Sequence, residues 1–199
     1  MNIGIDVDGV LVDMEAYQLK YGKKYFEKYN KTIANPRGYD VKDIFNCTKK
    51  EREKFWTKYI WKYCLREPMT NGAADCVRKL SEQGHKIIII TGRAHTTEKG
   101  ITGKLFRCML RYWLKKNNFI YDEIYYCSEN GSAEDKSNIC YEQKIDVLID
   151  DKPENLLAVK DKINIICYPA VWNEKYIELD EYRVKDFKAI WERVAKLME

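Results

Sequence analysis

The stretch Asn2-Ile3-Gly4-Ile5-Asp6-Val7-Asp8-Gly9-Val10-Leu11-Val12-Asp13 decides how this chain is read. Its apolar, β-branched start predicts a buried strand, and Gly9 punctuates the turn that follows. The strand delivers two aspartates, Asp6 and Asp8, into that turn. Asp is a poor strand residue, and crowded carboxylates repel unless a cation or a proton relieves them. Taken alone, the stretch reads as a strand closed by an Asp-Gly turn. The functional reading is a nucleophile and a metal site at the carboxyl end of a central strand, and the rest of the chain has to separate the two.

Downstream, the period changes. Tyr17, Tyr21, Tyr25 and Tyr29 recur every four residues, which is helical spacing with one aromatic face. Asn35-Pro36-Arg37-Gly38 breaks the chain, and a second helix is predicted from Lys49 to Cys64, ending near Arg66-Glu67-Pro68. Residues 14–68 thus read as a helical insertion rich in aromatics and cations. It holds 14 Lys and Arg against 7 Asp and Glu, net +7, which leaves −3 for the rest of a chain whose total is +4. Such a stretch can attract an anionic substrate or nucleic acid, or form a solvated helical surface.

From Asn71 helix and strand alternate. Ala73, Ala74, Val77 and Leu80 share a helical face that Gly84 is placed to close. His85 to Thr91 follows, with four consecutive isoleucines, the pattern of a strand buried on both faces. Further helices are predicted around Leu105 to Leu114, over Lys136 to Gln143, from Pro153 through Val159 and from Tyr182 to Met198. Further strands are predicted at Glu123 to Cys127, Ile145 to Ile149 and Ile163 to Cys167. This alternation predicts an α/β fold, a Rossmann-like parallel sheet with helices on both faces.

Composition excludes several classes. With 45% hydrophobic and 33% charged residues the chain has a globular make-up, and its longest aliphatic run, Ile87 to Ile90, is too short for a bilayer. The N-terminus shows no basic segment leading into an apolar stretch, so a cytoplasmic location is expected. The seven cysteines are scattered with no C-x-x-C pair, and two histidines argue against zinc, so reduced, mostly buried thiols are expected.

In an open parallel sheet, ligands bind beyond the carboxyl ends of the strands. There the predicted strands end at Asp6 and Asp8, at Thr91-Gly92-Arg93, and at Asp150-Asp151. Thr91 and Gly92 can hold phosphate with a hydroxyl and open amides. Lys136 can cancel charge on a transferring phosphoryl group. Asp150 and Asp151, like the first pair, call for a cation, and all-oxygen ligands suit Mg²⁺.

These residues, D-V-D-G-V-L-V-D, I-I-T-G-R, the Lys of E-D-K and I-D-D-K-P-E-N, resemble in order the four motifs of the haloacid dehalogenase (HAD) superfamily across nearly the whole chain. Their wording is similar to the branch holding the 5′(3′)-deoxyribonucleotidases and their bacterial relatives. The resemblance implies a core formed by residues 1–13 and 69–199, with residues 14–68 as a helical cap. It implies Asp6 as the nucleophile that becomes an aspartyl phosphate, and Asp8 as the acid and base. It implies Mg²⁺ held by Asp6, the main-chain carbonyl of Asp8, Asp150 and, through water, Asp151. Thr91, Gly92 and Lys136 would bind phosphate. An acid at residue 8 points to ester chemistry, because a departing alkoxide needs a proton. Nucleotidases of this branch place an arginine where this chain has Lys152.

The expected activity is Mg²⁺-dependent hydrolysis of a small phosphomonoester, a (deoxy)nucleoside monophosphate in the first reading. A sugar phosphate or other small metabolite is the alternative, and a noncatalytic phosphate- or nucleic-acid-binding module is the alternative of another class. Candidate substrate contacts are Arg93, Lys152 and Trp56, with Trp61 and the tyrosines as further stacking surfaces. No membrane partner and no dedicated nucleic-acid motif is read, Asp13 is expected to cap the first helix, and the oligomeric state is not legible.

Overall fold

The computed structural model describes residues 1–128 and 133–198. Five parallel strands form one sheet: β1 (Asn2–Ile5), β2 (Lys86–Thr91), β3 (Glu123–Tyr126), β4 (Val147–Asp150) and β5 (Asn164–Cys167), in the order β3-β2-β1-β4-β5. β1 is therefore central, paired with β2 from Asn2 opposite Lys86 to Ile5 opposite Ile89, and with β4 from Ile3 opposite Val147 to Ile5 opposite Ile149.

Side chains alternate across a strand, and this divides the core in two. Ile3, Ile5, Ile87, Ile89, Val147 and Ile149 face one apolar cluster, while Ile88, Ile90, Leu148 and Ile165 face the other. The four-isoleucine run is thus buried on both faces, as its composition predicts. On the first face pack α4 (Ala73–Glu82), α5 (Gly100–Lys116) and α8 (Phe187–Lys196), through Val77, Leu80, Leu110, Trp113, Phe187 and Ile190. On the second lie α6 (Ala133–Glu142) and α7 (Pro153–Leu157), through Cys140 and Leu156.

The helix ends follow local chemistry. α4 closes on Gly84 at φ +81°, where the Gly84 and His85 amides donate to the Ser81 and Leu80 carbonyls, a Schellman cap that favours glycine. α8 starts later than the sequence pattern predicts, because the Asp186 carboxylate accepts from the Ala189 amide and so sets the N-terminus. The preceding Val184 amide donates to the Cys167 carbonyl, which keeps that segment extended beside β5. A 3₁₀ turn over Ile177–Tyr182 comes before that segment and takes in only Tyr182 of the expected helix.

Between β1 and α4 lie α1 (Met14–Phe26), α2 (Val41–Ile44) and α3 (Lys49–Arg66). α1 stops short of Tyr29, where a 3₁₀ turn over Glu27–Tyr29 runs into the left-handed Asn30. Thr48 and Glu51 form a reciprocal capping box at the start of α3. Tyr25, Phe26, Phe55 and Tyr59 pack ring on ring between α1 and α3, with Tyr25 edge-on to Phe55 at 5.5 Å. These helices share an apolar cluster with the sheet.

All seven cysteines are free and six are buried, Cys108 being exposed. Among the described residues no helix is long and apolar enough to cross a membrane. The Asp13 carboxylate accepts from the Ala16 amide at 2.8 Å at the start of α1. Replacing it (Asp13→Ala) is expected to lower stability by about 1 kcal/mol, read as an earlier midpoint in urea unfolding at constant slope.

Candidate active site

Because β1 is central, its carboxyl end meets those of β2 and β4, and the three strand ends converge. The Asp6 amide donates to the Ile149 carbonyl at 3.0 Å, which continues the β1–β4 ladder and sets Asp6 beside Asp150. Asp6, Asp150 and Asp151 each offer a carboxylate oxygen, all within 4.8 Å of one another, and all three residues are buried. Lys136, in the first turn of α6, lies among them with Nζ 2.6 Å from Asp150 Oδ2 and 3.0 Å from Asp6 Oδ1. The Asp6 approach is close as a charge pair but is not aligned as a hydrogen bond, so Asp6 Oδ1 is left without a hydrogen-bond partner.

The electrostatics follow from that burial. Three buried carboxylates share one lysine, an excess of negative charge that protons or a cation must offset. Burial pushes the Asp6 carboxyl up to about 7, against the pull of Lys136 and with the help of Asp150 and Asp8. Asp151 is raised well above the usual carboxylate range by burial, then by Asp150 and Asp6. Burial alone favours a neutral Lys136, but Asp150 and Asp6 outweigh it and hold the ammonium charged.

The carboxylates are held from behind. Asp150 accepts from the Lys152 amide at 2.8 Å and from Asn155 Nδ2 at 3.0 Å. Asp151 Oδ2 accepts from Trp172 Nε1 at 2.9 Å, and Asn173 donates to the Asp151 carbonyl at 2.7 Å. Gly9, at φ +90°, passes so close that a Cβ there would lie 2.3 Å from Asp151 Oδ2, so only glycine fits. An orphaned carboxylate oxygen, an all-oxygen donor set and a fixed scaffold fit a hard divalent cation of the Mg²⁺ type.

Asp8 stands apart from that cluster. Its Oδ1 accepts from the Tyr63 hydroxyl of α3 at 2.8 Å and lies 3.2 Å from Arg93 Nη1. Arg93, expected as a substrate contact, is 2% exposed. Its guanidinium sits 4.9 Å from the Tyr63 ring centroid and 5.6 Å from that of Trp113, and Asp8 is its salt-bridge partner. Burial opposes the Arg93 charge, but Asp8, Cys64 and Tyr63 more than restore it.

Over these groups opens a cavity of about 1080 Å³, reached by Asp6, Asp8, Thr91, Gly92, Lys136 and Lys152 from the sheet side and by Trp56 and Tyr63 from α3. The Thr91 side chain is buried, its Oγ1 accepting from the Arg93 amide at 3.2 Å. Lys152 reaches the cavity with Nζ 4.8 Å above the Tyr39 ring. Trp56 lines the wall, stacked on Tyr17 at 6.4 Å and edge-on to Tyr63. Trp61 does not line it: 47% exposed, it packs on Phe106 of α5.

Sequence reasoning missed Asn155, Trp172 and Asn173, and it reached Tyr39 and Tyr63 only among the stacking tyrosines, without the contact of Tyr63 with Asp8. Asn155 stands in the quoted I-D-D-K-P-E-N motif, and Tyr63 falls seven residues after Trp56, two turns along one helix face. Trp172 and Asn173 follow β5, and only the pairing of β5 with β4 brings them to Asp151.

A pH-dependent response to cations follows. Without a cation the Asp6 carboxyl sits at about 7 in the fold against an ordinary 3.8, so its stabilising share is complete below about 4 and is lost as pH rises through about 7. A cation needs the ionised form and binds more tightly over the same rise. Added Mg²⁺ is therefore expected to raise the thermal unfolding midpoint more at about pH 8 than at about pH 5.5; equal shifts at both would contradict the site.

No protein-family model matches the sequence, and no curated protein matches it. Solved structures do match in fold. A predicted phosphoglycolate phosphatase from Haemophilus somnus 129PT superposes at a TM-score of 0.68 and 14% identity over 97% of both chains. A HAD-superfamily hydrolase of subfamily IA, variant 1, from Geobacter sulfurreducens PCA superposes at 0.59 and 14% identity, over 97% of this chain and 95% of that one. A D,D-heptose 1,7-bisphosphate phosphatase from B. bronchiseptica, complexed with magnesium and phosphate, superposes at 0.53 and 13% identity over 98% and 99%. Likeness at this identity is a likeness of architecture, and in architecture this chain has the α/β fold of the HAD-superfamily hydrolases.

Proposed function

We propose that the protein is a Mg²⁺-dependent phosphomonoester hydrolase with a helical cap, residues 14–68, over a core of residues 1–13 and 69–199. The observation that carries this reading is the buried Asp6 carboxylate, with one oxygen unpartnered, beside Lys136 and two further carboxylates at the floor of a cavity. Such an oxygen has the chemistry of a nucleophile awaiting an electrophile or a cation.

Asp6, Asp150, Asp151 and the main-chain carbonyl of Asp8 would hold the cation, with Asp151 acting through water. Mg²⁺ there supplies charge neutralisation between carboxylates and phosphate. Lys136, Thr91 and Gly92 receive the phosphoryl oxygens, and the ammonium is fixed by Asp150 to offset charge as it builds. Asp6 attacks phosphorus in line, the ester oxygen leaves with a proton from Asp8, and water then opens the aspartyl phosphate after giving a proton back to Asp8. The insertion excludes water by closing over these groups.

A nucleoside monophosphate is the proposed substrate, supported by Trp56, Tyr39 and Tyr63 on the cavity wall, flat surfaces suited to a base. Phosphorylated sugars and small acids are the second reading, supported by the names of the phosphatases of like fold. Robust release of phosphate from nucleoside 5′-monophosphates is expected in a panel of esters with Mg²⁺. Turnover of sugar phosphates with none from any nucleotide would replace the first reading by the second. Asp6→Asn is expected to abolish turnover and leave the thermal unfolding profile cooperative. A variant with near-normal rates would overturn the mechanism, and an inert wild-type protein that still binds phosphate would favour a noncatalytic module.

A further inference from the structure

We infer that Tyr63 and Arg93 are positioning residues for Asp8, holding its Oδ1 so that Oδ2 carries the proton delivered to the departing oxygen. This rests on the phosphomonoesterase reading and sharpens it. Tyr63 OH donates to Oδ1 at 2.8 Å, and Arg93 Nη1 lies 3.2 Å from the same atom. A hydroxyl donor and a guanidinium charge against one oxygen disfavour a proton on it, so in the acid form the proton resides on the other oxygen. Among the described residues no hydrogen bond is made to Oδ2, and the Asp8 side chain is 18% exposed toward the cavity that Asp6 also lines.

Packing alone gives Arg93 no reason to be there. It is buried against Tyr63 and Trp113 with no aligned hydrogen-bond partner for Nε, Nη1 or Nη2. A buried cation so poorly solvated is costly unless a nearby anion offsets it, and Asp8 is the anion that contacts it. When the phosphorus–ester oxygen bond breaks, its electron pair stays on the ester oxygen, which takes the proton from Oδ2. Asp8 is then left as a carboxylate facing Arg93. Since Tyr63 belongs to the helical insertion, the orientation of the acid is set from that side of the cavity and not by the sheet alone.

The test exploits the leaving group. An alkyl alkoxide needs a proton at departure, whereas the p-nitrophenolate of p-nitrophenyl phosphate needs little, and kcat/KM reports the step in which either leaves. For the near-isosteric Tyr63→Phe, the alkyl-to-aryl ratio of kcat/KM, with glycerol 2-phosphate or a nucleoside 5′-monophosphate as the alkyl ester, is expected to fall about tenfold. Arg93→Lys, which keeps the charge and loses the planar fork, is expected to lower the ratio less than Arg93→Met. Equal losses on both esters, as from a structural defect, or an unchanged ratio would overturn this inference while leaving the phosphatase reading intact. A wild-type protein inert toward both esters would overturn the phosphatase reading and this inference with it.

Discussion

The structure turns on an excess of buried negative charge at the end of its central strand. Asp6, Asp150 and Asp151 converge with Lys136 as their only close cation among the described residues. Such a cluster is destabilising by itself, and a protein keeps it only where surrounding groups compel it. Here the compulsion is visible: sheet pairing holds Asp6 against β4, Asn155 and the Lys152 amide hold Asp150, and Trp172 and Asn173 hold Asp151. Gly9 completes the enclosure by leaving no side chain in the gap.

The two aspartates of the opening stretch, one residue apart, end in different electrostatic surroundings. Asp6 faces other carboxylates and a lysine, so burial raises its affinity for a proton. Asp8 faces a buried arginine and a tyrosine hydroxyl. Two chemically identical side chains thus meet different surroundings, as the nucleophile and the acid of the proposed mechanism would require.

Much of this was legible in the chain. The alternation of helix and strand, the doubly buried isoleucine run and the Asp13 cap follow from periodicity and local chemistry, and the structure shows all three. Boundaries slipped where a cap overrode periodicity, as at Asp186, or where a left-handed residue ended a helix early, as at Asn30. Arg93 and Trp61 show the limit for side chains. Residue type suggested a substrate contact for each, yet Trp61 packs outward on Phe106, while Arg93 lines the cavity but is buried and paired with Asp8.

The sequence by itself determined which chemical groups end the strands, because a strand, its turn and the residues at its tip are contiguous. Only the tertiary structure decided which of those tips meet. The order β3-β2-β1-β4-β5 puts β1 between the second and fourth strands, and parallel pairing across long crossovers is a non-local choice that no window of sequence encodes. The same holds for Tyr63 on Asp8 and Trp172 on Asp151, contacts made 55 and 21 residues apart. They arise where helices and loops pack against the sheet edge, and burial there decides which polar groups must pair.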